Sequence, residues 1–143
     1  MKEIPADLRA FAARQYVAFL AGSEEFLDMA GELFLDEGRV ALRGRENVVS
    51  GFRPLLEQNR RAFRAAGTEP FVRAIEAADL QAMRALASGA SRASRQLAAM
   101  LDDLREGDVL LWLEASFSGG RLHRFFNVFR PGEGGWKVIA FGY

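Results

Sequence analysis

Three runs near the C-terminus constrain this chain most: Val109 to Phe117, Arg121 to Arg130 and Trp136 to Tyr143. All are rich in aromatic and aliphatic residues. Gly119-Gly120 separates the first two, and Pro131-Gly132-Glu133-Gly134-Gly135 the last two. Gly-Gly is a hairpin signal, and the second cluster joins a fixed proline φ to glycines free to take positive φ. The pattern predicts a three-stranded antiparallel meander.

Side chains alternate along a strand, so a one-residue slip exchanges the two faces. If Gly119-Gly120 is the whole first loop, Ser118 pairs with Arg121. Leu111, Leu113, Ala115, Phe117, Leu122, Phe126 and Val128 then share one face with Val138 and Ala140. The other face carries Leu110, Trp112, Glu114, Ser116, His123, Phe125, Asn127, Phe129, Ile139, Phe141 and Tyr143. Aromatic rings among a few hydrogen-bonding groups are the makings of a pocket wall. A three-residue loop would instead set Glu114 opposite Arg124 as a cross-strand ion pair. The two-residue loop is the preferred register.

The N-terminal half reads as helix. Pro5 suits a first turn, Gly22 a stop, and Leu8, Phe11, Ala12, Tyr16, Phe19 and Leu20 form one stripe. Ser23 is a good N-cap for a second helix whose buried face is Phe26, Leu27, Met29, Ala30, Leu33 and Phe34. After the turn Asp36-Glu37-Gly38, Arg39 to Arg43 alternates as a short strand. Arg45-Glu46 opens a third helix, and Pro54 predicts a kink or break near Gly51. Pro70 to Leu86 starts with β-like alternation and continues in helix formers, so its reading stays open. Ser91 to Arg105 is helical, with Leu97, Met100, Leu101 and Leu104 on one side.

Composition excludes several chemistries. The 143 residues make one domain, half apolar and with no net charge, so no field selects nucleic acid or an anionic membrane. Without cysteine there is no disulfide, thiolate nucleophile or zinc-cysteine site, and one histidine cannot build a two-histidine metal motif. No metal or cofactor is expected. No apolar stretch at the N-terminus is long enough for a signal peptide or membrane span, so the cytoplasm is the expected location.

Two N-terminal helices, Phe34-Leu35-Asp36-Glu37-Gly38-Arg39-Val40, the Gly44-Arg45-Glu46 helix start and a meander ending Gly134-Gly135-Trp136-Lys137-Val138-Ile139 together resemble the NTF2-like superfamily. Its SnoaL-like and ketosteroid-isomerase-like branches are nearest. The resemblance covers Leu8 to Phe52 and Val109 to Tyr143, and leaves a helix-rich departure at about 68–106. It implies an α+β cone: N-terminal helices packed on a curved antiparallel sheet, with a pocket between. It also places Asn127, Tyr143 and Tyr16 in that pocket. The isomerases carry a base carboxylate at the end of the first strand, where this chain reads Val40-Ala41-Leu42-Arg43. Isomerase chemistry of the familiar type is therefore not expected.

His123 is the chain's one imidazole, the side-chain type whose unperturbed titration falls nearest neutrality. In the preferred register it joins Glu114 and Tyr143 as a candidate acid/base cluster, or it serves only as a structural or solvent-facing histidine. Tyr16, Trp112, Phe125, Asn127, Phe129 and Phe141 are the candidate ligand-binding residues. Two functions follow: a pocket binding a small, largely apolar molecule, with or without weak acid/base chemistry, or a non-catalytic dimerisation or assembly module using the aromatic face. A homodimer is expected, because one helix layer cannot cover so many large apolar side chains on both sheet faces.

Overall fold

A sheet that is apolar on both faces needs cover on both, and the chain supplies it with two separate sets of helices. The computed structural model describes residues 3–35, 40–42, 45–66, 71–116 and 122–142. In chain order these form α1 (Ala6–Ala21), α2 (Glu25–Met29), β1 (Ala30–Leu35), β2 (Val40–Leu42), α3 (Arg45–Ala66), β3 (Phe71–Ala78), α4 (Leu80–Ala87) and α5 (Arg92–Met100). A single 3-10 turn (Leu101–Asp103), β4 (Val109–Ser116), β5 (Leu122–Gly132) and β6 (Gly135–Gly142) complete them. The strands make one six-stranded sheet in the order β2-β1-β6-β5-β4-β3. The fold class is α+β, with N-terminal helices packed on a sheet that ends in the expected meander. Among the described residues the one parallel pair joins β1 to β6, so the sheet is mixed.

The helices α1, α2 and α3 pack Leu8, Phe11, Phe26, Phe52 and Leu56 in one cluster with Leu111, Leu113, Phe125, Phe129 and Val138. The second cluster sets Leu80, Met83, Leu97, Met100 and Leu104 against Leu110, Phe126, Val128 and Ile139. Burying each such side chain is worth about 1.5–3 kcal/mol, so both layers drive folding. Gly22 closes α1 at φ 69°, where a Cβ would lie 2.1 Å from the Leu56 carbonyl oxygen. Its own carbonyl accepts two bonds from Arg60, which ties α1 to α3.

Four expectations are corrected. Glu114 pairs with Arg124, Leu113 with Phe125 and Leu111 with Asn127, which is the register of the longer loop. The loop residues themselves lie outside the described segments. Consequently odd positions of β4 share a face with odd positions of β5. Secondly, the second helix stops at Met29; Ala30 is already extended, and Leu33 to Leu35 pair with β2. Pairing with β2 and β6 overrides a helix-compatible apolar spacing. Thirdly, of the kink or break expected near Gly51, the break does not occur: α3 is one helix through Pro54. Proline deprives the Ser50 carbonyl of its donor, but both residues are exposed and water can replace it. Lastly, the sheet is not antiparallel throughout, as the β1–β6 pair shows.

The undecided segment holds both elements at once. Residues 71–78 are strand and 80–87 helix, separated by Asp79, whose carboxylate caps α4 by accepting from the Ala82 N–H at 2.9 Å. Together α4 and α5 form the second layer. The surplus of apolar surface that suggested a homodimer is thus largely met within the chain. Among the described residues, the large apolar side chains left exposed are Leu55, Phe71 and Leu122.

A buried ion pair fastens the turn after that layer to the sheet. Arg130 of β5 donates from Nε and Nη2 to the two oxygens of Asp108, each at 2.8 Å, and from Nη2 to the Asp103 carbonyl at 2.9 Å. Asp108 also accepts from the Arg105 N–H. With Asp108 1% exposed, removing Arg130 strands its carboxylate out of reach of water. Arg130→Met should therefore lower unfolding stability by about 3–5 kcal/mol in urea titration. A loss under about 1 kcal/mol, the range of exposed pairs, would show that the site is wet.

Candidate functional site

Alternate residues of β5 descend from solvent into the core on the face covered by α1. His123 is exposed, Phe125 is 7% exposed, and Asn127 and Phe129 are completely buried. Strand rise makes the span from His123 to Asn127 about 13 Å. Beside this row lies a cavity of about 560 Å³ lined by Tyr16 and Phe19 of α1, His123, Arg124, Phe125 and Asn127 of β5, and Phe141 of β6. A larger depression of about 760 Å³ runs along α3, but among described residues one helix alone lines it, and mostly with exposed side chains. The smaller cavity has walls on several sides and is the better site.

Its walls are rings in mutual contact. Tyr16 stacks on Phe125 at 4.3 Å between centroids and 28° between planes. Phe19 stacks on Phe141 at 5.4 Å, and Phe26 and Phe52 back both of them. Such offset pairs present flat apolar faces held in place by their neighbours. Burial also pushes the Tyr16 phenol above its ordinary pKa of 10.0, so it stays a neutral hydroxyl at physiological pH.

The inner end is polar and uncompensated. Neither the Oδ1 nor the Nδ2 atom of Asn127 has a hydrogen-bond partner. On α1 the Gln15 amide, which is not among the residues lining the cavity, is equally buried: Nε2 donates to the Ala12 carbonyl at 3.2 Å, and Oε1 has no partner. Each orphaned group costs about 1–3 kcal/mol of desolvation. The sequence reading missed Gln15. The signal was present, since position 15 continues the apolar stripe of positions 8, 11, 12 and 19 with a polar side chain.

Five candidates therefore line one cavity: Tyr16, Phe125, Asn127, Phe141 and His123. Phe129 shares their face but lies deeper in the core, edge-on to Phe11 at 5.9 Å. Trp112 and Glu114 are corrected. The longer-loop register turns both to the face covered by α4 and α5, where Trp112 meets Phe126 and lies under the Arg124 guanidinium. Glu114 instead ion-pairs with Arg73 of β3 at 2.7 Å. The proposed His123–Glu114 contact would have to cross the sheet, so the acid/base cluster is not assembled. Tyr143, and with it the third member, lies outside the described residues. Arg124 contributes to the lining, yet its guanidinium is engaged on the opposite face by Trp112 and Glu76. Among the described residues no cluster of His, Asp and Glu could hold a metal, and no helix is long and apolar enough to cross a membrane.

No protein-family model and no curated protein matches the chain. A solved domain of unknown function from Nostoc punctiforme, described as having a cystatin-like fold, is similar at 17% identity and a TM-score of 0.45. The match covers 97% of this chain and 76% of that one. The NTF2-like membership expected from sequence resemblance is corrected: no family model supports it. The architecture established is α+β.

A phenol whose folded pKa lies above its unfolded value is held protonated by the fold, so the native state binds more protons than the unfolded chain above about pH 10. Stability conferred by this neutral burial is complete below the unfolded pKa and is lost as pH rises through the folded one. Urea unfolding at pH 8 and pH 11 should show a larger alkaline loss in the wild type than in Tyr16→Phe. Equal losses would mean that the phenol ionises freely.

Proposed function

We propose that this chain is a small-molecule-binding protein whose ligand is flat and largely apolar and sits between α1 and the β5–β6 edge of the cavity. The observation that carries the reading is the juxtaposition of stacked rings Tyr16, Phe19, Phe125 and Phe141 with the unpartnered, fully buried Asn127 amide. A wall of rings gives affinity through apolar burial, and an unsatisfied polar group gives orientation. An uncompensated amide is costly to a fold, and binding is one way to offset that cost.

Acid/base chemistry has weaker support. His123 stands at the exposed rim, while Glu114, the carboxylate meant to accompany it, faces away. Binding without catalysis is the leading account. The second reading, a homodimer or assembly module, retains one observation. Phe71 and Leu122 are 55% and 58% exposed and flank Ser116 in one cross-strand row. A self-associating surface would centre there, on the face opposite the cavity.

The neutral fluorophore N-phenylnaphthylamine tests the pocket. It should bind the wild type at one site, and Phe125→Ala should weaken it by about tenfold or more, the worth of one buried ring. Trp112→Ala, on the other face, should leave binding unchanged. Circular dichroism establishes that both variants are folded, and Tyr16→Ala provides a second wall variant. Equal loss in the Phe125 and Trp112 variants would overturn the assignment of this cavity.

A further inference from the structure

Asn127 carries more information than the presence of a site. Its side chain is an adjacent donor and acceptor, the Nδ2 hydrogens and Oδ1, held on the middle of β5 by ladder pairs to Leu111 and Phe141 on either side. It is 0% exposed, and neither polar atom is satisfied within the protein. A partner satisfying both atoms must present the converse pattern on one edge, an acceptor beside a donor. The group with that pattern is a cis amide: a lactam, a primary carboxamide or the amide edge of a heterocyclic base.

Charge narrows the class further. The described lining offers no cation to the inner end, because the Arg124 guanidinium lies over Trp112 and near Glu76 across the sheet. His123 stands at the rim, about 13 Å of strand away. A carboxylate reaching Asn127 would find one neutral donor and face the lone pairs of Oδ1, with a full charge removed from water. An ammonium would meet one acceptor and no counterion. The inner end therefore selects a neutral polar edge, while the stacked rings select a planar body.

Resting on the pocket reading above, we propose that the ligand is a neutral planar heterocycle or arylamide whose amide edge makes a two-bond cyclic pair with the Asn127 side chain. The ring system lies among Tyr16, Phe125 and Phe141, and any polar substituent points out past His123. Because Asn127 is closed to solvent, the amide edge reaches it only as a ring of the wall shifts aside. Tyr16, stacked on Phe125 over the same row, is placed to do so.

Displacement of N-phenylnaphthylamine by three probes of similar size decides it: carbostyril, a bicyclic lactam; naphthalene, its apolar counterpart; and naphthoate, its anionic one. Wild type should bind carbostyril about tenfold or more tighter than either of the others, since naphthalene leaves both amide atoms unpaired and naphthoate sets a desolvated charge against the lone pairs of Oδ1. Asn127→Leu should abolish that preference and favour naphthalene. Should that variant not fold, the wild-type order alone decides. Naphthalene or naphthoate equalling carbostyril in the wild type overturns the amide proposal and leaves the pocket standing. So does N-phenylnaphthylamine binding that none of the three displaces. A preference undiminished in folded Asn127→Leu overturns the role of Asn127. Failure of N-phenylnaphthylamine itself to bind overturns the pocket and the proposal together.

Discussion

The ladder between β4 and β5 holds Leu111 opposite Asn127, and that pairing settles which side chains can meet. It gathers Leu111, Leu113 and Ala115 with Phe125, Asn127 and Phe129 under α1, and sends Leu110, Trp112 and Phe126 to the opposite face. A shift of one residue would bring Glu114 beside His123 and put Phe126 where the cavity floor now is. Both faces contain enough apolar residues for either arrangement. Hydrophobicity alone therefore does not choose between them; the polar residues do. In the observed register Arg124 shares a face with Trp112 and Glu76, which a one-residue slip of β5 would take from it, while the Glu114–Arg73 pair belongs to the β3–β4 ladder.

The two layers differ in the kind of side chain they use. The α1–α3 side is built on rings, with Phe11, Phe19, Phe26, Phe52, Phe125, Phe129 and Phe141 in or against it. The α4–α5 side is built mainly on leucine, methionine, valine, isoleucine and alanine. Methionine and leucine adjust their torsions to fill irregular space, whereas rigid planes meet at preferred angles and distances. The aromatic layer is where the cavity lies. Buried polar groups without partners, Gln15 and Asn127, occur in that layer too. Among the described residues the polar group buried deepest on the other side, Asp108, is fully engaged.

Local signals were legible where the sequence makes its own punctuation. Pro5 and Gly22 bracket α1, α5 starts after Ser91, and the Pro131 to Gly135 cluster makes the β5–β6 turn, whereas the Asp79 cap that divides β3 from α4 went unread. What could not be read was non-local. Ala30 to Leu35 has a helix-compatible apolar spacing, and only pairing to β2 and β6 makes it a strand. The Gly119-Gly120 signal suggested the tighter loop, and strand alternation then carried that single-residue choice to Trp112 and Glu114. The site was nevertheless half visible: Tyr16, Phe125, Asn127 and Phe141 belong to alternation within one strand or to one helical stripe. Trp112 and Glu114 required the relation between two strands.

The position of β6 has consequences for assembly of the chain. It is last among the strands in sequence yet lies inside the sheet, between β1 and β5, and its pairing with β1 is parallel. Without it the strands would fall into two separate pieces, a β1–β2 hairpin and a β3–β4–β5 ladder. Joining β1 to β6 closes a loop of roughly a hundred residues, a contact of the slow, high-separation kind. During synthesis β1 must therefore wait, with one edge unpaired, until the distant strand that completes it has emerged. An edge left open in this way is also the edge at which a second nascent chain can pair. The cavity, one wall of which is Phe141 of β6, comes into being only at that final step.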